Sequence, residues 1–304
     1  MKKDGVVQRS REDEARLLPL AAALIAVFAT VYGSRAAQAQ SVEASGDVSP
    51  GIPAPPLSQW IVGSYTGGQS TTTVSGSGLI WTNSGNLTVG GFGSGILTVA
   101  EVGRVSVQAG AGTVSLATSG SASGTIHIGA ASPNSTAATA AGTLDVAKIT
   151  FGAGAGTLNF NHIDSHYDFD AALSSTGSGT HKLNQYAGVT RLTVDSSTLR
   201  RATTVSGGAL IVTDKLGGTA SVTGGRFQVD GNVAGQVTVE QTGTLTGAGA
   251  IDGDATFSAG GMLAGTQGQT LTIRGHLELD SASQVNVALG GAFTPALFDV
   301  GGDL

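Results

Sequence analysis

The chain contains no cysteine. That excludes disulfide frameworks, thiolate metal sites and cysteine nucleophiles. Charged residues make up 12% of its 304 residues and aromatics 5%, and there are only 7 prolines. This charge content is about half that of an ordinary globular protein. Fifteen basic residues stand against 21 acidic ones, a net of −6. With the cations scattered, there is no positive patch or stripe of the kind nucleic acid needs. The longest uncharged apolar stretch, Leu17 to Tyr32, holds 16 residues with Pro19 near its start, short for a membrane span. The sequence has no G-x-S-x-G elbow, no H-E-x-x-H and no phosphate-binding G-x-x-x-x-G-K-[ST], so the common nucleophile, zinc and nucleotide signatures are missing.

What the chain has in abundance is glycine, 48 residues of it, set among Thr, Ser and Val. There is no strict G-X-Y period, which excludes collagen, and the recurring Val, Leu and Ile argue against disorder. Thr203 to Val212 reads TTVSGGALIV, and the phrase returns at Ser221 to Val229, Thr238 to Thr246 and Thr256 to Ala264. Its first apolar residues are Val205, Val222, Val239 and Phe257, spaced 17, 17 and 18 apart; its second are Leu210, Phe227, Leu245 and Leu263, spaced 17, 18 and 18. A fixed period of two short strand-like pieces around a Gly turn marks a solenoid, because one unit cannot bury its own apolar row. The expected fold is all-β, a right-handed parallel β-helix of roughly 17–18 residues per coil in its C-terminal half. A narrow coil of this kind leaves little room for aromatics inside.

In chain order, residues 1–39 read as a signal peptide. Lys2, Lys3, Arg9, Arg11 and Arg16 form the basic start and Leu17 to Tyr32 the apolar stretch. Ala37-Gln38-Ala39 is a small-x-small cleavage site ahead of Gln40. Cleavage there leaves 9 basic and 17 acidic residues, a net of −8. Residues 40–75, Pro-rich at Pro50, Pro53, Pro55 and Pro56, read as a flexible lead-in. From 76 to 187 a shorter phrase, Gly-x-apolar-x-apolar, recurs at Gly85, Gly95, Gly103, Gly112, Gly124, Gly142 and Gly156. Period-2 alternation turns each apolar pair inward. Spacings of 8 to 18 suggest two strands per coil, with Ala130 to Ala141 an excursion. Residues 188–304 carry the longer units. Eighteen residues per coil from residue 76 onward would give roughly 13 coils and a rod about 60 Å long.

Individual residues add little chemistry. His162, Asp164, His166, Asp168 and Asp170 would share one side of a single strand, a mixed nitrogen and oxygen set suited to zinc or manganese. Alternate side chains on a straight strand sit about 6.6 Å apart, too far for more than two to share an ion. The segment therefore reads as a solvated face with Ile163, Tyr167 and Phe169 inward. No metal or other cofactor is expected, and His162, Asp164 and His166 are the weak candidates. Gly90 to Thr98 approaches a calcium-binding nonapeptide, but Gly95 stands where that repeat needs Asp. Asp252 and Asp254 are close enough to consider as paired acids, and solvated turn positions account for them better. Arg200-Arg201 reads as an exposed corner too sparse to bind anything.

Gly188-Val189-Thr190, Leu192-Thr193 and Thr203 to Val212 resemble the passenger-associated transport repeat of autotransporters, and the copies ending at Leu245 and Leu263 continue it. The Gly85 to Val107 phrases are similar to N-terminal passenger repeats of rhizobial and related α-proteobacterial autotransporters. The resemblance covers most of residues 76–304. It implies type V secretion: a signal peptide, a β-helical passenger and a translocating outer-membrane barrel. Passengers of this class are mostly adhesins and surface factors. Leu199-Arg200-Arg201-Ala202 departs from the family's usual turn, and residues up to Leu304 include no barrel. The expectation is therefore a non-enzymatic passenger fragment acting in adhesion or display, periplasmic, or at the cell surface when a barrel completes it. Its expected partners are host or matrix glycans and proteins, with self-association through an open C-terminal coil. A polysaccharide-active β-helix enzyme, and a truncated product without function of its own, are the alternatives.

Overall fold

The computed structural model describes residues 41–46, 48–49, 59–131, 137–288 and 296–303. The leader and its cleavage site at Ala37, Ala39 and Gln40 lie outside the described residues. Among those described there is no α-helix; the chain winds into a parallel β-helix that lays strands on three faces. One face is an eleven-stranded sheet running from Ser41–Gly46 to Leu277–Leu279. Its ten strands from Gln69–Ser75 onward are parallel, each paired with the equivalent strand one coil away.

The two other faces change over part-way along. In the N-terminal half one is built from Gln59–Val62, Asn86–Val89, Thr113–Leu116, Lys148–Phe151 and Ala172–Ser175, and the other from Ile80–Asn83, Arg104–Val107 and Thr143–Asp145. In the C-terminal half a seven-stranded sheet begins at Tyr167–Phe169 and a five-stranded one at Lys215–Leu216. One lateral face is interrupted between Asp145 and Tyr167 and the other between Ser175 and Lys215, and the long sheet runs past both breaks.

Alternation within each strand explains the stacking. Leu97, Ile126, Leu158 and Leu183 lie in register and point inward, all at most 1% exposed. Full burial of such a side chain stabilises by about 1.5–3 kcal/mol. The period seen in sequence gives the same result: Leu210 pairs with Phe227, Phe227 with Leu245 and Leu245 with Leu263, and all four are buried. Val205, Val222, Val239 and Phe257 form a second interior row on the long sheet.

Three features differ from expectation. Most coils carry three strands, so the short phrases are successive faces of one coil. Long-sheet partners such as Leu97 and Ile126, or Ile126 and Leu158, are separated by 29 and 32 residues, and the 17–18-residue coil holds only from about Thr203 to Ala255. Ten parallel strands make nine steps, roughly 43 Å at about 4.8 Å each, which shortens the expected rod. The wider N-terminal coils also hold aromatics. Trp60 and Trp81 pack edge to face at 5.0 Å, as do Phe160 and Phe169 at 5.1 Å, and all four are buried. Finally, the coil begins inside the supposed lead-in, since Gln59–Val62 and Gln69–Ser75 are strands of the stack. Ser41–Gly46 lies antiparallel against Gln69–Ser75 and covers the edge that strand would otherwise expose.

Candidate functional site

The candidate metal ligands sit where the lateral faces change over, and they are not on one strand. The long-sheet strand ends at Asn161, residues 163–166 are irregular, and a new strand covers Tyr167–Phe169. Strict alternation is therefore lost: Ile163 is 66% exposed, whereas Phe169 is buried. His162 is fully enclosed. Its Nε2 lies 2.8 Å from the Thr190 hydroxyl, and its Nδ1 lies 3.5 Å from Asp164 Oδ2, beyond hydrogen-bond length. The same Asp164 oxygen accepts the Ala141 backbone N–H at 2.7 Å, and the Tyr167 ring stands 5.2 Å from the imidazole. Burial lowers the pKa of His162, with the Asp164 charge opposing. Burial raises that of Tyr167, whose hydroxyl donates to the Gly142 carbonyl at 2.9 Å.

Glycine makes room for this histidine. Gly188, at φ +74°, lies directly over the ring, and a Cβ there would stand 2.3 Å from His162 Nδ1. His166, by contrast, is exposed and pairs with Asp168 at 3.1 Å, while Asp168 also meets Arg191 Nε at 3.3 Å. Asp170 accepts from the Thr193 hydroxyl. Among the described residues no three His, Asp or Glu side chains surround a common point. The hydroxyl–imidazole–carboxylate order of Thr190, His162 and Asp164 has the sequence of a nucleophile relay. Both Thr190 and His162 are sealed from solvent, so the chain of contacts joins coils and presents nothing to a substrate.

A second polar feature runs along the outer side of the long sheet. Thr98, His127, Asn159 and Asn184 occupy one register position in successive strands, and all are buried by their neighbours. Asn184 Nδ2 donates to Asn159 Oδ1 at 2.8 Å, and Asn159 Nδ2 faces His127 Nδ1 at 3.2 Å. Accepting that bond requires Nδ1 to be unprotonated. Burial pushes the His127 pKa down to about 4, in keeping with a neutral ring. Sequence reasoning missed this column, although the signal existed. Aligning Gly124-Thr125-Ile126-His127 on Gly156-Thr157-Leu158-Asn159 places His127 and Asn159 side by side.

Three other acids are engaged. Asp252 pairs with Arg274 and accepts from Asn232 at 3.0 Å; Asp254 accepts the His276 backbone N–H at 2.8 Å. They brace adjacent turns and do not face each other across a groove. Asp145 binds Arg104 at 2.6 Å and Ser106 at 2.8 Å, and the Arg104 hydrogen bond holds its carboxyl below the usual range. At Gly95 a Cβ would come within 2.3 Å of the Val62 carbonyl of the preceding coil, so the stacking itself rules out the aspartate a calcium repeat would need there.

The chain is 33% identical over 126 residues to the adhesin BmaC autotransporter of Brucella suis biovar 1 (strain 1330). It is a partial homologue of an autotransporter adhesin. The match takes in 40% of this chain and spans 3% of the length of that relative. No family model matches the chain, and no solved structure matches it.

Proposed function

We propose that this chain is an exported, non-enzymatic passenger segment of autotransporter type, acting in adhesion or display at the cell surface. Partial homology to an autotransporter adhesin, borne on a continuous β-helical stack, carries the reading. A continuous stack suits this role because many weak contacts along one face multiply into useful avidity. In this reading the leader is cut after Ala39, the translocating barrel is supplied by autotransporter sequence, and the passenger meets host or matrix glycans or proteins.

The test is to express the full chain with its leader in a Gram-negative host, fused ahead of an autotransporter barrel, and to measure adhesion of those cells to matrix-coated surfaces. The expected result is an N-terminus at Gln40 and adhesion that a barrel-only control lacks. A retained leader would argue for anchoring in place of export, and adhesion equal to the control would refute the adhesive role.

A further inference from the structure

One corner of the rod leads into the long sheet. It is formed by turns 63–68, 90–93, 117–122, 152–154, 176–180 and 197–201, each preceding a long-sheet strand. Consecutive turns are tied together: Gly91 donates to Gly63, Ser119 to Gly91, Ala153 to Thr118, and Arg201 Nη2 to the Ser178 carbonyl at 3.0 Å. None of these turns, nor the next two at 217–219 and 234–236, contains an aspartate or glutamate, in a chain whose net charge is −6.

The corner does carry cations and rings. Arg200 and Arg201 are exposed in its sixth turn, and Lys182, exposed on the adjoining strand, lies in register with Ala202 beside them. Among the described residues none of the three is in an ion pair. At the other end of the same corner, Tyr65 is 71% and Phe92 is 59% exposed, on consecutive turns. Between the two ends lie half-buried Ser119 and exposed Ser121, whose hydroxyls meet at 3.3 Å. The pair of arginines, too sparse alone, thus gains a third cation and an aromatic extension through coil stacking.

We propose that this corner is a binding edge for an extended acidic polysaccharide, which deepens and rests on the adhesive reading above. The apolar C–H face of a sugar ring packs on an exposed aromatic face. Guanidinium groups hold carboxylate or sulfate through paired hydrogen bonds, and serine hydroxyls serve the sugar hydroxyls between. From the Tyr65 turn to the Arg200 turn is five coil steps, roughly 24 Å at about 4.8 Å per coil, close to one pyranose unit per step. Three cations are too few for a nucleic-acid track, and the cationic end offers no apolar side chain to insert into a lipid surface.

The experiment is titration calorimetry of the full chain with a heparin decasaccharide, a neutral cello-oligosaccharide of similar length and phosphatidylserine vesicles. The heparin fragment should bind, with affinity falling against salt at a log–log slope of about −2 for three ion contacts on a single-chain polyanion. Replacing Lys182, Arg200 and Arg201 together by Glu should abolish binding. Tyr65→Ala with Phe92→Ala should weaken it about fivefold, a stacking contribution of the usual size, without changing the salt slope. Arg104→Ser and Arg274→Ser, which alter cations already paired elsewhere, should leave affinity unchanged. Circular dichroism melts confirm that each variant is folded. Binding that survives the triple charge reversal, equal affinity for the neutral oligosaccharide, or binding to vesicles alone would overturn the proposal. If heparin fails to bind while the displayed chain still adheres to matrix, the corner assignment falls and the adhesive reading stands; failure of both removes both.

Discussion

Leu245 is the most direct probe of the stack. It is fully buried between Phe227 on one coil and Leu263 on the next. Truncation to Ala removes contacts to both neighbours and leaves a cavity that rigid coils close poorly, a loss of about 2–5 kcal/mol. Leu245→Asp adds an unpaired carboxylate in an apolar row and should cost several kcal/mol more than the truncation. Thr244 and Thr246 flank it on the outer side. Thr244 lies in register with Arg226 and Met262, so an aspartate there meets a cation, and Thr246 lies beside Gln228. Either change to Asp should stay within about 0.5 kcal/mol, the usual range for surface substitutions. Because each coil touches only its neighbours, the Leu245 lesion should act locally. Hydrogen exchange read by mass spectrometry should show lost protection in coils from about Ala209 onward, while Ser94–Ala100, Ser123–Gly129 and Ala155–Asn161 keep theirs. Equal sensitivity at 244, 245 and 246 would refute the inward–outward alternation. Uniform loss of protection along the chain would refute nearest-neighbour coupling.

Acid should loosen the rod through its buried histidines. The folded pKa of His127 is held at about 4 against 6.5 for the free side chain, so the unfolded chain takes up a proton the folded chain refuses. Stability is complete above pH 6.5 and falls as pH drops toward 4, by roughly 3 kcal/mol for this residue. His162 adds in the same direction. Denaturant midpoints at pH 7.5 and 4.5 should differ less in His127→Asn, and an unchanged pH dependence in that variant would contradict the assignment. Gly188→Ala places a methyl against the His162 ring at a positive φ, a strain of about 1–3 kcal/mol before any clash; an undiminished melting temperature would mean that His162 does not lie beneath it. His166→Asn removes only an exposed pair with Asp168 and should leave the melt unchanged with zinc or chelator present. A zinc-dependent rise that the variant loses would restore a metal site to this segment.

Where coils are uniform, the sequence alone was sufficient. The rows through Val205 and Leu210 recur at 17 to 18 residues because each interior position must match the one above it, and identical coil lengths print that requirement as a period. The small, sparsely charged composition likewise follows from tight corners, as the 2.3 Å approach of a Gly95 Cβ to the Val62 carbonyl illustrates. Tertiary structure decided the rest. In the N-terminal half the loops between faces vary, so partners such as Ile126 and Leu158 sit 32 residues apart with no fixed period to reveal them. Only the stacking register shows that the short phrases are faces of one coil, that Asn184 joins the His127 and Asn159 column, and that His162 is enclosed beneath Gly188 while His166 is exposed. The same register carries Tyr65 and Phe92 to one corner with Lys182, Arg200 and Arg201. In a solenoid, neighbours in space are one coil apart in sequence, and the length of that coil is set by turns whose residues need not repeat.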